Sequence, residues 1–184
     1  MFTLRTTVLI CTIATLAATC PAHDPSTALP PPRYQPKASD PAWLAQVVQL
    51  YGHLGPWVVA GARLGMAGAR AVDAKGHFDV DVVCAGPFKK PPQSCFLDGM
   101  QVGSGATLGK RTIDVVEAKE LVVTIRNPRT KKAVEVRPTR KLLDILEPPA
   151  SIDGSPHDEA RFEQMARRIA AMPDAEILVI VAAK

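Results

Sequence analysis

The residues best suited to chemistry lie close together in Ser94 to Ile113, SCFLDGMQVGSGATLGKRTI, which sets a thiol, a carboxylate, an amide and a lysine among four glycines. Cys95, Asp98 and Gln101 fall at i, i+3 and i+6, so a helix opening at Cys95 carries all three along one face. Gly103-Ser104-Gly105 then ends that helix, because glycine tolerates the left-handed conformation of a C-terminal cap. The following Ala106 to Lys110 offers backbone amides, the Thr107 hydroxyl and the Lys110 ammonium to the same place. Asp98, Gln101, Thr107 and Lys110 are therefore the expected ligand-binding residues of a pocket. Its reactive groups are Cys95 and, from an earlier loop, His53.

Two chemistries suit that pair. A divalent transition metal such as zinc would use His53 and Cys95, with Asp98 as a third ligand and water or substrate completing an open site; a closed structural zinc needs four sulfur or nitrogen ligands, which they cannot supply. Alternatively Cys95 is a lone thiol at a helix N-terminus, where partial positive charge favours anionic sulfur, and His53 is its acid or base. The structural alternatives are a polar turn residue for His53 and a disulfide between Cys84 and Cys95.

The elements that must position these groups begin after a leader. Met1 to Ala22 carries Arg5, an apolar run from Val8 to Ala18 and small residues at a cleavage position, too short for a comfortable membrane span. It reads as a secretory signal over residues 1–22, with a lipoprotein at Cys20 or an uncleaved anchor as lesser options. Any membrane contact is expected only through this segment. Residues 23–40 are proline-rich and lack an apolar period, the composition of a tether. The folded domain is expected over 41–184, opened by Asp40-Pro41 as an N-cap followed by proline.

Apolar residues at helical spacing from Trp43 to Tyr51 give a first helix, broken at Gly52-His53-Leu54-Gly55. A second runs from Pro56 to about Asp73 and contains Gly61, Gly65 and Gly68. Each helical glycine costs roughly 1 kcal/mol relative to alanine, so a close neighbour must compensate. That neighbour is either the sheet or a helix of a second copy, which would make a homodimer. Phe78 to Ala85 reads as a strand, followed by the site helix and strands over Thr112 to Val116, Glu120 to Arg126 and Ala133 to Arg137. The last two form an antiparallel hairpin about Asn127 to Lys131. A short helix over Thr139 to Leu146, a loop from Pro148 to Ser155, a helix over Pro156 to Met172 and a strand over Glu176 to Ala182 complete the chain. This order gives an α+β domain with helices on one face of a mixed, mostly antiparallel sheet.

Two segments in order, GHLGPWVVAGARLG from Gly52 and SCFLDGMQVGSGATLGKRTI from Ser94, followed by the hairpin, resemble the core domain of the FmdE family, which takes its name from formylmethanofuran dehydrogenase, over about Ala42 to Thr139. That family's pattern is Gly-His-x-Cys-Pro-Gly entering a helix, then Cys-x-x-Asp-Ala-Ile-Gln, then Thr-Gly-Cys-Thr-x-Gly-Lys. The resemblance assigns His53, Cys95, Asp98, Gln101, Thr107, Gly109 and Lys110 to the pattern. Gly55 and Ala106 stand where the family has cysteines, which leaves one thiol of a thiol-rich site, and no zinc-finger tail follows. The resemblance carries no dehydrogenase activity over, because the chemistry of that complex belongs to its other components.

The net charge of +4 concentrates in Arg126, Arg129, Lys131, Lys132, Arg137, Arg140 and Lys141. No aromatic residue is interleaved there for base stacking, so a solvated face is expected and no nucleic acid. Serine-hydrolase, zincin and phosphate-loop patterns are missing from the sequence. The expectation is an exported, periplasmic or extracellular accessory module binding a metal or small molecule, with a small thiol- or metal-dependent enzyme as the alternative.

Overall fold

The computed structural model describes residues 32, 34–147 and 156–183, without the side chains of 156–158. The expected signal, most of the tether and the loop over 148–155 lie outside the described residues. Elements run α1 (Trp43–Tyr51), α2 (Pro56–Ala71), β1 (Asp81–Gly86), α3 (Cys95–Ser104), β2 (Ile113–Glu117), β3 (Val122–Arg126), β4 (Ala133–Pro138), α4 (Arg140–Leu146), α5 (Pro156–Ala171), α6 (Asp174–Ile177) and β5 (Leu178–Ala182). No helix among the described residues is long and apolar enough to cross a membrane.

The five strands form one sheet in the order β2-β1-β3-β4-β5, with β1 and β2 parallel and every other pair antiparallel. A parallel neighbour requires a crossover, and α3 supplies it between β1 and β2. The fold is therefore the α+β arrangement of helices and mixed sheet that the sequence suggests. On the helix-covered face, Val82 aligns with Ile113 and Ile125, and Cys84 aligns with Val123, which aligns in turn with Val136. Val82, Cys84, Val123, Ile125 and Val136 are almost wholly buried and share one apolar core with Leu64, Met100 and Phe96 from the helices.

The glycines of α2 face neighbours within the chain. A Cβ on Gly68 would collide with Ile125 of β3 and stand 3.1 Å from Val136 of β4, the close sheet approach anticipated for this helix. Gly61 and Gly65 instead face α3, with would-be Cβ atoms 2.9 Å from the backbone nitrogens of Met100 and Ser104. From the other side, Gly99 and Gly103 of α3 leave no room for a Cβ against the backbone of Val58 and Ala62. The small-residue face is thus consumed inside one chain, and the contact with a second copy imagined for it is replaced by an intramolecular helix pair.

Arg63, buried at the middle of α2, donates to the carbonyls of Ile169 and Ala170 at 2.7 Å and of Met172 at 2.6 Å. It also pairs with Asp174 at 2.6 Å, and so caps the end of α5 and orders the turn α6 where a longer strand was expected. Asp40 does not cap α1, whose N-cap is Ala42 without a side-chain bond. Its carboxylate, with the side chain 5% exposed, is bound by Arg167 of α5 at 2.8 and 3.1 Å, by the Tyr34 hydroxyl at 2.9 Å and by the Lys37 amide at 3.0 Å. Hydrogen bonding to Arg167 holds its carboxyl down at about 2. Residues 34–40, read as tether, are therefore fastened to the domain. β1 begins three residues later than expected, because Asp79 turns inward to accept from the Lys75 amide at 3.1 Å and pair with Arg129 at 2.7 Å.

Gly99→Ala tests the helix pair. A helical glycine-to-alanine change in open space gains roughly 1 kcal/mol, but here the methyl meets the Val58 carbonyl. Overpacking against backbone outweighs the gain, and we expect a loss of about 3 kcal/mol in denaturant unfolding. Gly109→Ala, which meets nothing within 4 Å, should leave stability nearly unchanged.

Candidate functional site

Contacts between α2 and α3 advance together in sequence: Val58 lies against Gly99, Gly61 against Phe96 and Met100, Ala62 against Gly99 and Gly103, and Gly65 against Met100 and Ser104. The helices therefore run parallel, and their N-termini lie at the same end. Gly55, the N-cap of α2, and Cys95, the first residue of α3, stand level there. Neither N-terminus has a side-chain cap, and the positive ends of two helix dipoles share one place; the first amides of α3 are taken by the preceding turn, Cys95 N–H donating to the Pro92 carbonyl at 3.2 Å and Phe96 N–H to that of Gln93 at 3.1 Å.

The end of α1 reaches the same point. Gly52, in the left-handed conformation at φ 95°, stops α1 through its N–H to the Val48 carbonyl and leaves Tyr51 on the last turn. The Tyr51 hydroxyl donates to Cys95 Sγ at 2.6 Å. The exposed His53 ring lies 4.6 Å from the Tyr51 ring, tilted by 51°. A Cβ on Gly55 would point at His53 Nε2, 3.5 Å away, and at Tyr51 Cε1, 3.8 Å away. One phenol thus joins the two reactive residues named from the sequence. Burial, with the Cys95 hydrogen bond second, pushes the Tyr51 hydroxyl far above the ordinary tyrosine value, so it stays a proton donor.

Asp98 lies half-buried in the first turn of α3, and desolvation raises its carboxyl above the usual value. Partial burial makes the ionised form of this carboxyl less favourable than it is in water. Gln101, one turn on, is turned to the following loop, where its Oε1 accepts from the Leu108 amide at 3.3 Å.

Thr107 and Lys110 do not join Cys95. Residues 95 and 104 stand at opposite ends of α3, about 13 Å apart at 1.5 Å per residue, and Gly105, at φ 77°, caps the far end. Lys110 Nζ donates to the Gly105 carbonyl and, at 3.1 Å, to that of His77, with its charge 5.1 Å from the Phe78 ring centre. Its ammonium offsets the negative end of the helix dipole. Thr107 accepts from the Lys110 amide at 3.2 Å within the same loop. Thr107 and Lys110 thus close the loop after α3, a structural task.

Both described cysteines are free. Cys84 is buried in the sheet, and burial pushes its thiol up to about 12, which leaves it inert. Among the described residues, no three His, Cys, Asp or Glu side chains come together to hold a metal. The sulfur of Cys95 is already engaged by Tyr51, so the donor set does not fit a structural zinc.

A protein-family model described as FmdE, molybdenum formylmethanofuran dehydrogenase operon, matches residues 50–179. The chain belongs to the FmdE family. No curated protein matches it. The matched span takes in the end of α1, both glycine-packed helices and the sheet up to the start of β5, so the Tyr51, His53 and Cys95 cluster lies inside the FmdE domain. Tyr51 is the member of this cluster that the sequence does not single out, since there it is only the last apolar position of α1. Its signal was a phenol at a helix end, since a half-buried hydroxyl needs a partner. The basic run is largely spent on acids: Arg129 on Asp79, Lys132 on Asp73, Arg137 on Glu135 and Arg140 on Asp144.

An acid whose folded-state pKa is raised keeps its proton in the folded chain where the unfolded chain has lost it. Stability contributed by Tyr51 is therefore full below the ordinary value near 10 and falls as pH climbs past it. We expect the melting temperature of the wild type to drop more steeply between about pH 9.5 and 11 than that of Tyr51→Phe. Superimposable profiles would show that the phenol is not held protonated by its surroundings.

Proposed function

We propose that this FmdE domain is an exported small-ligand-binding module whose ligand is anchored at the Cys95 thiol. The observation that carries the reading is the 2.6 Å hydrogen bond from the Tyr51 hydroxyl to Cys95 Sγ at the shared N-terminal end of α2 and α3. Placing a polar pair at the shared end of two helices gains little for folding, whereas a thiol, a phenol and an imidazole together recognise a small polar molecule. Asp98, in the first turn of α3, adds a half-buried carboxyl whose hold on a proton desolvation strengthens. The apolar run of residues 8–18 and the proline-rich stretch after it support export.

The same pair supports a second reading, a thiol enzyme in which His53 or Tyr51 moves a proton to or from a molecule held at Cys95. Binding is preferred because the described residues supply no third group orienting His53 and no stabiliser of developing charge beyond the helix amides. A resident metal is the weaker form of the binding reading, since one chain brings too few donors together.

Native mass spectrometry with elemental analysis tests this on protein made with its own leader. We expect recovery outside the cytoplasm with an N-terminus near His23, and a bound small molecule that Cys95→Ser loses at least tenfold with a nearly unchanged melting temperature. Intact Met1 in the cytosol would contradict export. A ligand retained by Cys95→Ser, or a stoichiometric metal with no organic ligand, would contradict a thiol-anchored small molecule.

A further inference from the structure

The two edges of the sheet differ in how they meet solvent. At the β2 edge, Ile113 to Glu117 carries Asp114 and Glu117, and charges on an edge strand discourage pairing with another chain. The β5 edge, Leu178 to Ala182, carries no charge, proline or glycine. Its central residues are apolar yet open: Val179 is 50% exposed, Ile180 37% and Val181 44%. Among the described residues β5 pairs only with β4, so its other side presents backbone donors and acceptors without a described partner, beside apolar side chains on both faces.

From this geometry we propose that β5 is the interface between two copies of the chain, joined by antiparallel pairing of β5 with the partner's β5 about Ile180. An edge of backbone amides and carbonyls accepts only another extended strand, and the side chains here require that strand to be apolar. LVIVA is itself such a strand. Centred on Ile180, the pairing sets Val179 against the partner's Val181 and Val181 against the partner's Val179, neutral and β-branched on both sides. Pairing of β5 with β2 would instead bring the acids of β2 onto an apolar edge and leave free edges at both ends, an open-ended assembly. Pairing of β5 with itself closes after two copies and makes one ten-stranded sheet, from two sheets of five strands each. The contact involves only five residues per copy and falls at the small end of specific interfaces, the range of weak and transient association. The Tyr51–Cys95 site lies on the helices and takes no part.

Analytical ultracentrifugation of the purified protein from about 1 to 300 μM tests this, with Val181→Lys, Val179→Lys and, on the opposite edge, Val116→Lys. Each position is solvent-exposed, and melting curves check that the variants fold. A monomer–dimer equilibrium is expected for the wild type and Val116→Lys, with dissociation constants raised at least tenfold in Val179→Lys and Val181→Lys. A monomeric wild type at the highest concentration, a dimer indifferent to both β5 lysines, or species growing beyond the dimer would each overturn the proposal. If both lysine variants unfold, hydrogen exchange of the wild type decides: β5 amides must gain protection with concentration, and constant protection refutes the interface.

Discussion

Four glycines let the backbones of α2 and α3 touch, and most of what this molecule can do follows from that approach. Side chains at positions 61, 65, 99 and 103 would hold the helix axes apart, since each Cβ would enter the volume of a facing backbone atom. With the helices in contact and parallel, α3 returns over the sheet to place β2 beside β1. The same contact brings both helix N-termini to one end of the domain. The intrinsic helix cost of glycine, roughly 1 kcal/mol at each position, is offset by dispersion between close-packed backbones and by the apolar burial that close packing allows.

α2 also organises the opposite flank. Arg63, in the middle of the helix, reaches three carbonyls at the end of α5 and the carboxylate of Asp174. An arginine fork so fully used leaves no donor pointing into the core, which is why a guanidinium is tolerated there. Asp40 and Arg167 fasten the incoming chain to α5 in a similar way. The domain is thus a sheet under one central helix, with α3 and α5 attached to it by different physics: close backbone contact on one side and a capping cation on the other.

Much of the architecture was legible from short-range pattern. Apolar spacing at helical period located α1 and α5, the i, i+3, i+6 spacing of Cys95, Asp98 and Gln101 located α3, Pro56 marked the start of α2, and the Asn127 to Lys131 turn marked the β3–β4 hairpin. Two motifs in order named the family. The features missed are those whose partners are far away in sequence. Tyr51 and Cys95 are separated by 44 residues and Asp40 and Arg167 by 127, and no local spacing records either pair. Lys110 was misread for a related reason: composition placed it in the right loop, but a ten-residue helix carries that loop to the far end from Cys95. The glycines were read as a sign of close approach, and only the fold could say that the neighbour was α3 for two of them and the sheet for the third.

The central claim is that α2 and α3 lie parallel in backbone contact and so bring Tyr51 to Cys95. Nuclear Overhauser contacts between the helix backbones test it most directly. The account predicts cross-peaks from Gly99 Hα to the backbone of Val58 and Ala62 and from Gly103 Hα to Ala62, ascending together along both helices, with the Tyr51 ring protons near the Cys95 Hβ pair. Cross-peaks in the opposite order, or helices joined only through side-chain protons with Tyr51 remote from Cys95, would contradict it.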